Sequence, residues 1–173
     1  MRNPKAKLLL GPGPSNSDPR VLRALSEPTL GHLDPDFVAI MDETTELLRY
    51  VFNTKNKLTI PISGTGSAGM ETAFMNMVEP GDKAIVCTCG IFGDRMVDVA
   101  ERAGAEVVKV ESPWGEPIDP EDVKKAIRKN PGAKLLAIVH AETSTGVLQP
   151  LDEIVELAHE AGMRVIVDAV TSL

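Results

Sequence analysis

From about residue 57 onward the chain alternates short apolar runs with longer amphipathic ones. The apolar runs fall at 58–62, 83–88, 105–110, 134–139 and 163–167. Ala84-Ile85-Val86, Val107-Val108, Leu135 to Val139 and Val165-Ile166-Val167 lack polar alternation. That is the pattern of strands covered on both faces. Helices are predicted between them at about 67–78, 93–103, 119–130 and 150–161, the first over the good helix-forming run Met70 to Val78. Pro80-Gly81-Asp82, Ala103-Gly104-Ala105, Asn130-Pro131-Gly132 and Ala161-Gly162 supply the stops. Repeated β-α-β units predict an α/β fold, a mostly parallel sheet with helices on both sides in three αβα layers.

Upstream, the pattern differs. Leu10-Gly11-Pro12-Gly13-Pro14-Ser15-Asn16 is too rich in proline for regular structure. It reads as a surface arm, or as a stiff strap lying over a site. Asp18-Pro19 predicts a short helix through about Leu25, with Asp18 as N-cap. Gly31-His32-Leu33 predicts a turn. Asp34-Pro35 then repeats the cap-plus-proline signal before Phe37, Ile40, Met41, Thr44, Leu47, Leu48, Val51 and Phe52 at helical spacing. Glu43, Glu46 and Arg49 take the other face, which is expected to be solvated.

The run at 58–62, read as a strand, leads into Ser63-Gly64-Thr65-Gly66-Ser67-Ala68-Gly69 and then a helix. The first amides of a helix lack intrahelical partners, and its dipole is positive there. With glycines that admit close approach and hydroxyls from Thr65 and Ser67, the segment is a candidate phosphate cradle. Gly64-x-Gly66-x-x-Gly69 also spells a dinucleotide fingerprint. That motif needs an acidic residue at the end of the next strand, about 20 residues on. Val86-Cys87-Thr88-Cys89-Gly90 offers none, which argues against a nicotinamide dehydrogenase. No lysine follows the glycines, so a P-loop is excluded. A glycine turn that binds nothing is the plain alternative.

A chain of 173 residues with 43% hydrophobic and 25% charged content suits a globular protein with a real core. Net charge of −7 argues against nonspecific nucleic-acid binding. No apolar run approaches the roughly 20 residues of a membrane helix, and the N-terminal apolar stretch is too short for a signal peptide. A cytoplasmic location is expected. Cys87 and Cys89 lie two apart near the end of a strand. Alternation is expected to send them to opposite faces, so neither a disulfide nor a shared metal is expected.

In a parallel sheet, ligands bind beyond the carboxyl ends of the strands. Those ends carry the cradle, then Cys89 to Arg95 with Phe92, then Glu111 to Gly115 with Trp114. His140 to Gly146 with Thr143 and Asp168 to Ser172 complete the edge. A phosphorylated, planar, protonatable heteroaromatic suits that edge, and pyridoxal 5′-phosphate (PLP) has the matching handles. Phe92 can stack on the ring, Thr143 can bond its hydroxyl, and Asp168 can hold its nitrogen protonated. Each residue alone has a plain reading: Phe92 as core, Asp168 as a strand-end cap, Thr143 as a loop hydroxyl, His140 as a packed histidine, Trp114 as a turn residue. Their shared edge argues for a site.

Four segments, Leu8 to Ser15, Ser63 to Ser67, Glu142 to Pro150 and Val167 to Leu173, together resemble the class V aminotransferases. The nearest likeness is to the alanine–glyoxylate / serine–pyruvate aminotransferase group. The resemblance implies the PLP-dependent fold type I, with an N-terminal arm and short helix over 1–30 and the N-terminal part of the large domain over 31–173. By it, Thr65, Gly66 and Ser67 hold the phosphate, and Phe92 takes the ring-stacking place that the family often fills with Trp. Thr143 sits near the ring hydroxyl, Asp168 pairs with the pyridine nitrogen, and Val170 packs on the other ring face. Gly13, with the rest of the Gly11 to Ser15 arm, lines the substrate pocket, and Gly31-His32 resembles a turn near the site. Homodimers with shared sites are implied.

In that family the Schiff-base lysine lies downstream of the aspartate motif. No lysine follows Asp168 in these 173 residues. The residues therefore resemble the N-terminal, cofactor-binding half of such an enzyme and are expected to be inactive alone. The implied reaction moves an amino group from alanine or serine to glyoxylate or pyruvate. Transamination of 2-aminoethylphosphonate or of ureidoglycine with glyoxylate stays open. So does a non-catalytic PLP-binding or interaction module that associates with the missing half.

Overall fold

The structure, a computed structural model, describes residues 5–173. The chain divides into two compact units, an N-terminal one ending at Pro61 and a C-terminal one spanning Ile62–Leu173.

The N-terminal unit holds helices α1 (Pro19–Ala24) and α2 (Pro35–Val51). Both begin as predicted. Asp18 accepts from the Arg20 amide at 2.7 Å, and Asp34 accepts from the Asp36 amide at 2.9 Å. Asn16 closes the arm into a loop by accepting from the Leu9 amide and donating to the Lys7 carbonyl. No residue of α2 is fully buried. Phe37, Met41, Thr44 and Leu48 are half-buried, while Ile40, Leu47 and Val51 stay open. Two helices and an arm are too little chain to close a core. The polar face is not simply solvated either. Arg49 donates to the carbonyls of Asn56 and Lys57 at 3.0 and 2.8 Å and pins the segment after the helix.

The strand predicted at 58–62 does not form. Leu58 and Ile60 are 81% and 55% exposed, and no strand of the described residues pairs with them. Pro61 lacks the amide that a ladder needs and restricts Ile60 before it. The cradle therefore follows an irregular extended segment, not a strand.

In the C-terminal unit four strands form one parallel sheet: β1 (Lys83–Thr88), β2 (Glu106–Glu111), β3 (Leu135–Val139) and β6 (Arg164–Asp168). Their order is β2-β1-β3-β6. Register pairs Ile85 with Val108 and Leu136, and Val139 with Asp168. A small antiparallel pair, β4 (Ala141–Glu142) and β5 (Val147–Leu148), follows β3 and was not predicted. Two residues per strand are too few to leave a periodic signal.

Helices α3 (Gly66–Met77) and α4 (Ile91–Arg102) cover one face. Phe74, Met96 and Ala100 pack there on Ala84, Val86, Leu135 and Ala137. Helices α5 (Pro120–Lys129) and α6 (Asp152–Glu160) cover the other. Val123, Ile154 and Ala158 pack there on Ile85, Leu136 and Ile138. Alternate residues of β1 and β3 thus feed two cores, which is why their sequences are apolar throughout. The layers match the α/β expectation, and Trp114 lies in a turn closed by the Glu116 amide on the Pro113 carbonyl.

Cys87 and Cys89 correct an expectation. Residues two apart on a strand share a face, and both thiols enter the core with Ile85 and Ile138. What separates them is rise along the strand, about 6.6 Å for two residues, well beyond the Cβ spacing of a disulfide. Burial pushes the Cys87 thiol up to about 12.

Candidate functional site

Chain connections leave β1 and β3 in opposite directions, β1 toward β2 and β3 toward β6. A crevice opens at their carboxyl ends for that reason. A cavity of about 220 Å³ lies there. Four segments build it: the start of α3 with Thr65, Gly66 and Ser67; Phe92 in the first turn of α4; Thr143 in the turn after β4; and the end of β6 with Asp168 and Val170. The seven residues singled out from sequence for a cofactor all line this one space. Met70, Val139 and Ala141 line it too; each reads from sequence as ordinary core. Gly13, expected on the substrate side, belongs to the N-terminal unit, where it has φ +157° within a bend.

At the cradle, Thr65 caps α3 by accepting from the Ala68 amide at 3.4 Å, and its carbonyl receives the Gly69 amide. The Gly66 and Ser67 amides have no acceptor among the described residues. Two free amides beside two hydroxyls, at the positive end of a helix, form a donor set for an anion. Gly64 makes the turn, with φ +148° and a Cβ position 2.8 Å from that of Ala68. No other residue fits there.

Opposite the cradle, the Asp168 Oδ1 accepts from the Val170 amide at 3.0 Å. Its carbonyl receives the His140 amide at 2.9 Å, while the His140 carbonyl accepts from Gln149. His140 thus serves the strand ends through its backbone. The Thr143 hydroxyl meets that of Thr171. No lysine lines the cavity among the described residues. Lys109 pairs with Asp94 and Glu111 at 2.8 and 3.0 Å, and Lys134 with Asp82 at 2.6 Å.

One feature was missed in the sequence. Glu142 is 1% exposed, and its carboxylate accepts from the amides of Phe92, Gly93 and Ser144 at 3.4, 3.2 and 3.1 Å. It also accepts the Ser144 hydroxyl at 2.6 Å, and the same Ser144 Oγ receives the Ile91 amide at 2.9 Å. Gly90, at the cap position of α4, provides no side-chain bond of its own. Side chains some 50 positions downstream cap this helix instead, and it starts at Ile91, two residues before the expected start at about 93. The signal available was a carboxylate between an apolar strand and a hydroxyl-rich turn, but nothing local shows where it points. Cys89 feels this charge: burial, then Glu142 beside it, pushes the thiol up.

Gly90 makes room for the clasp. Its backbone is extended, so sterics set its identity. A Cβ there would lie 2.5 Å from both Glu142 Cγ and Ser144 Oγ. Both side chains are tied and cannot retreat. Gly90→Ala is expected to destabilise the protein by about 1–3 kcal/mol, read from denaturant unfolding at unchanged m-value. A midpoint equal to wild type would show that the clasp yields freely.

A family model described as aminotransferase class-V matches residues 8–173. The chain is 46% identical over 167 residues to an alanine–glyoxylate aminotransferase of Rattus norvegicus, with 96% of this chain and 40% of that protein covered. It is 43% identical, with the same coverage, to an (S)-ureidoglycine–glyoxylate transaminase of Bacillus subtilis (strain 168). A solved alanine–glyoxylate aminotransferase from Nostoc sp. superposes with TM-score 0.95 at 50% identity, covering 99% of this chain and 45% of that one. The chain spans about 40% of the length of these curated relatives. Class-V aminotransferases depend on pyridoxal 5′-phosphate. With nearly all of its residues matched, the chain belongs to the class-V aminotransferase family.

Proposed function

We propose that these residues form the cofactor-holding part of a PLP-dependent aminotransferase. Its reaction moves an amino group from a small amino acid, alanine or serine, to a 2-oxo acid, glyoxylate or pyruvate. One observation carries the reading: a single cavity joins an anion cradle, an aromatic ring and a strand-end carboxylate. Bound there, PLP supplies a carbonyl that takes up amino groups and a ring that acts as an electron sink.

The chain's own residues have separable tasks. The Gly66 and Ser67 amides and the Thr65 and Ser67 hydroxyls donate to the phosphate. The Asp168 carboxylate holds a proton on the ring nitrogen, and its bond from the Val170 amide fixes the rotamer. Phe92 and Val170 offer apolar surfaces to the ring, and Thr143 offers a hydroxyl to its oxygen. Glyoxylate appears in the names of both curated relatives described above, which supports it as acceptor. Ureidoglycine as donor is the second reading, supported by the Bacillus relative at nearly equal identity. A homodimer fits dimerisation as typical of the family. No helix among the described residues is long and apolar enough to cross a membrane.

The test is a PLP titration of the 173-residue polypeptide followed by absorbance, with borohydride treatment afterwards. Saturable binding is expected, with no stoichiometric borohydride-fixed adduct at a single residue, because no lysine follows Asp168 in these residues or lines the cavity. Absence of saturable binding would refute the cradle as a PLP site in this polypeptide. A borohydride-fixed adduct on one residue would assign a lysine that the geometry does not.

A further inference from the structure

We infer that Glu142 is a positioning residue for the cavity. Its buried carboxylate fixes the first turn of α4, and with it the Phe92 ring, against the turn that carries Thr143. The inference rests on the reading of this cavity as a PLP site.

A carboxylate that is 1% exposed normally finds a cation. None of the ion pairs among the described residues includes Glu142. Its charge is met instead by three backbone amides, one hydroxyl and the positive end of α4. Burying a charge this way is tolerable only while its donors stay in place, so the donors are held as firmly as the charge. Through Glu142 and Ser144, the successive amides of Ile91, Phe92 and Gly93 are all tethered. Those amides would otherwise be the loose start of a helix.

Phe92 sits between two tethered neighbours, and its side chain lines the cavity. Thr143 follows Glu142 directly in the chain and lines the same cavity. Thr145 adds a bond from its hydroxyl to the Cys89 carbonyl at 3.3 Å. Two walls of the cavity, from elements far apart in sequence, therefore share one anchor. A cap that only stabilised α4 would not need to come from the turn bearing Thr143.

Glu142→Gln keeps the volume but turns one acceptor into a donor that faces amides. The experiment combines two readouts on the whole chain. PLP dissociation constants are measured for wild type, E142Q, F92A and the double variant. Amide hydrogen exchange is followed at Ile91, Phe92 and Gly93. E142Q is expected to weaken PLP binding by about tenfold, and by less than about twofold in the F92A background, the non-additivity of residues that act through one another. Exchange at Phe92 and Gly93 is expected to accelerate in E142Q while the β3 amides stay protected. An equal loss of affinity in both backgrounds would overturn the proposal, because Glu142 would then act on the fold at large. Unchanged exchange at Phe92 and Gly93 would overturn it as well. If wild type binds no PLP, the cofactor reading fails, and the exchange arm still decides whether Glu142 sets the Phe92 turn. Should E142Q not fold, S144A removes one donor, leaves the carboxylate and carries the same cycle with a smaller loss.

Discussion

Asp168→Asn is expected to weaken PLP binding by about ten- to a hundredfold, the worth of a charge-assisted hydrogen bond of about 1.5–3 kcal/mol, with the unfolding transition little changed. Asn keeps the shape and can still accept from the Val170 amide. The backbone bond from His140 to the Asp168 carbonyl does not involve the side chain and persists. What disappears is the negative charge that holds a ring proton. The variant should bind the cofactor's phosphate and ring faces without stabilising the protonated ring. Its absorbance should therefore shift with pH where that of wild type does not. Unchanged affinity with an unchanged spectrum would make Asp168 a strand-end cap and nothing more.

Phe74→Ala is expected to cost about 3–5 kcal/mol, a large share of the roughly 5–15 kcal/mol that holds a domain together. Phe74 is fully buried, and it packs with Val86, Met96, Leu135 and Val139 beneath α3. The ring is the largest apolar group fastening that helix to the sheet, and the other end of α3 carries Thr65, Gly66 and Ser67. The melting temperature should fall by about 10 °C, at roughly 2–4 °C per kcal/mol for a chain of this size. Tyr50→Ala, at a side chain 84% exposed, is the control and should stay within about 0.5 kcal/mol. Equal melting temperatures for the two variants would mean that α3 is held by something other than this core.

The sequence carried the layered fold well. Leu135 to Val139 is apolar without alternation because β3 is covered on both faces, and composition alone reports that. Helix starts at Asp18 and Asp34 were legible because cap and capped amide are two residues apart. Pro61 shows where such reading fails. Leu58 to Ile62 has the composition of a strand, but a strand exists only if a neighbour pairs with it, and proline weakens that pairing. Phe92, Thr143 and Asp168 could be gathered from sequence because ligands in a parallel sheet bind beyond the carboxyl ends of its strands, whereas Val170 came from the family resemblance, and Met70, Val139 and Ala141 carry no mark that separates them from core. The Glu142 clasp was not, since its partners at Phe92 and Gly93 lie 50 and 49 positions away. The same holds for Gln149, buried and bonded to both the amide and the carbonyl of Ile118. A hydrogen bond over such a distance leaves no period, and only the fold brings its ends together.

Two helix starts, those of α3 and α4, open on one edge of the sheet. A molecule approaching from solvent would meet two equivalent positive ends if nothing distinguished them. Glu142 removes the equivalence by setting its carboxylate against the first amides of α4, and the start of α3 keeps its free amides. The edge is therefore electrically one-handed. A ligand with one anionic terminus finds free amide donors at the start of α3, whereas the amides at the start of α4 are already occupied.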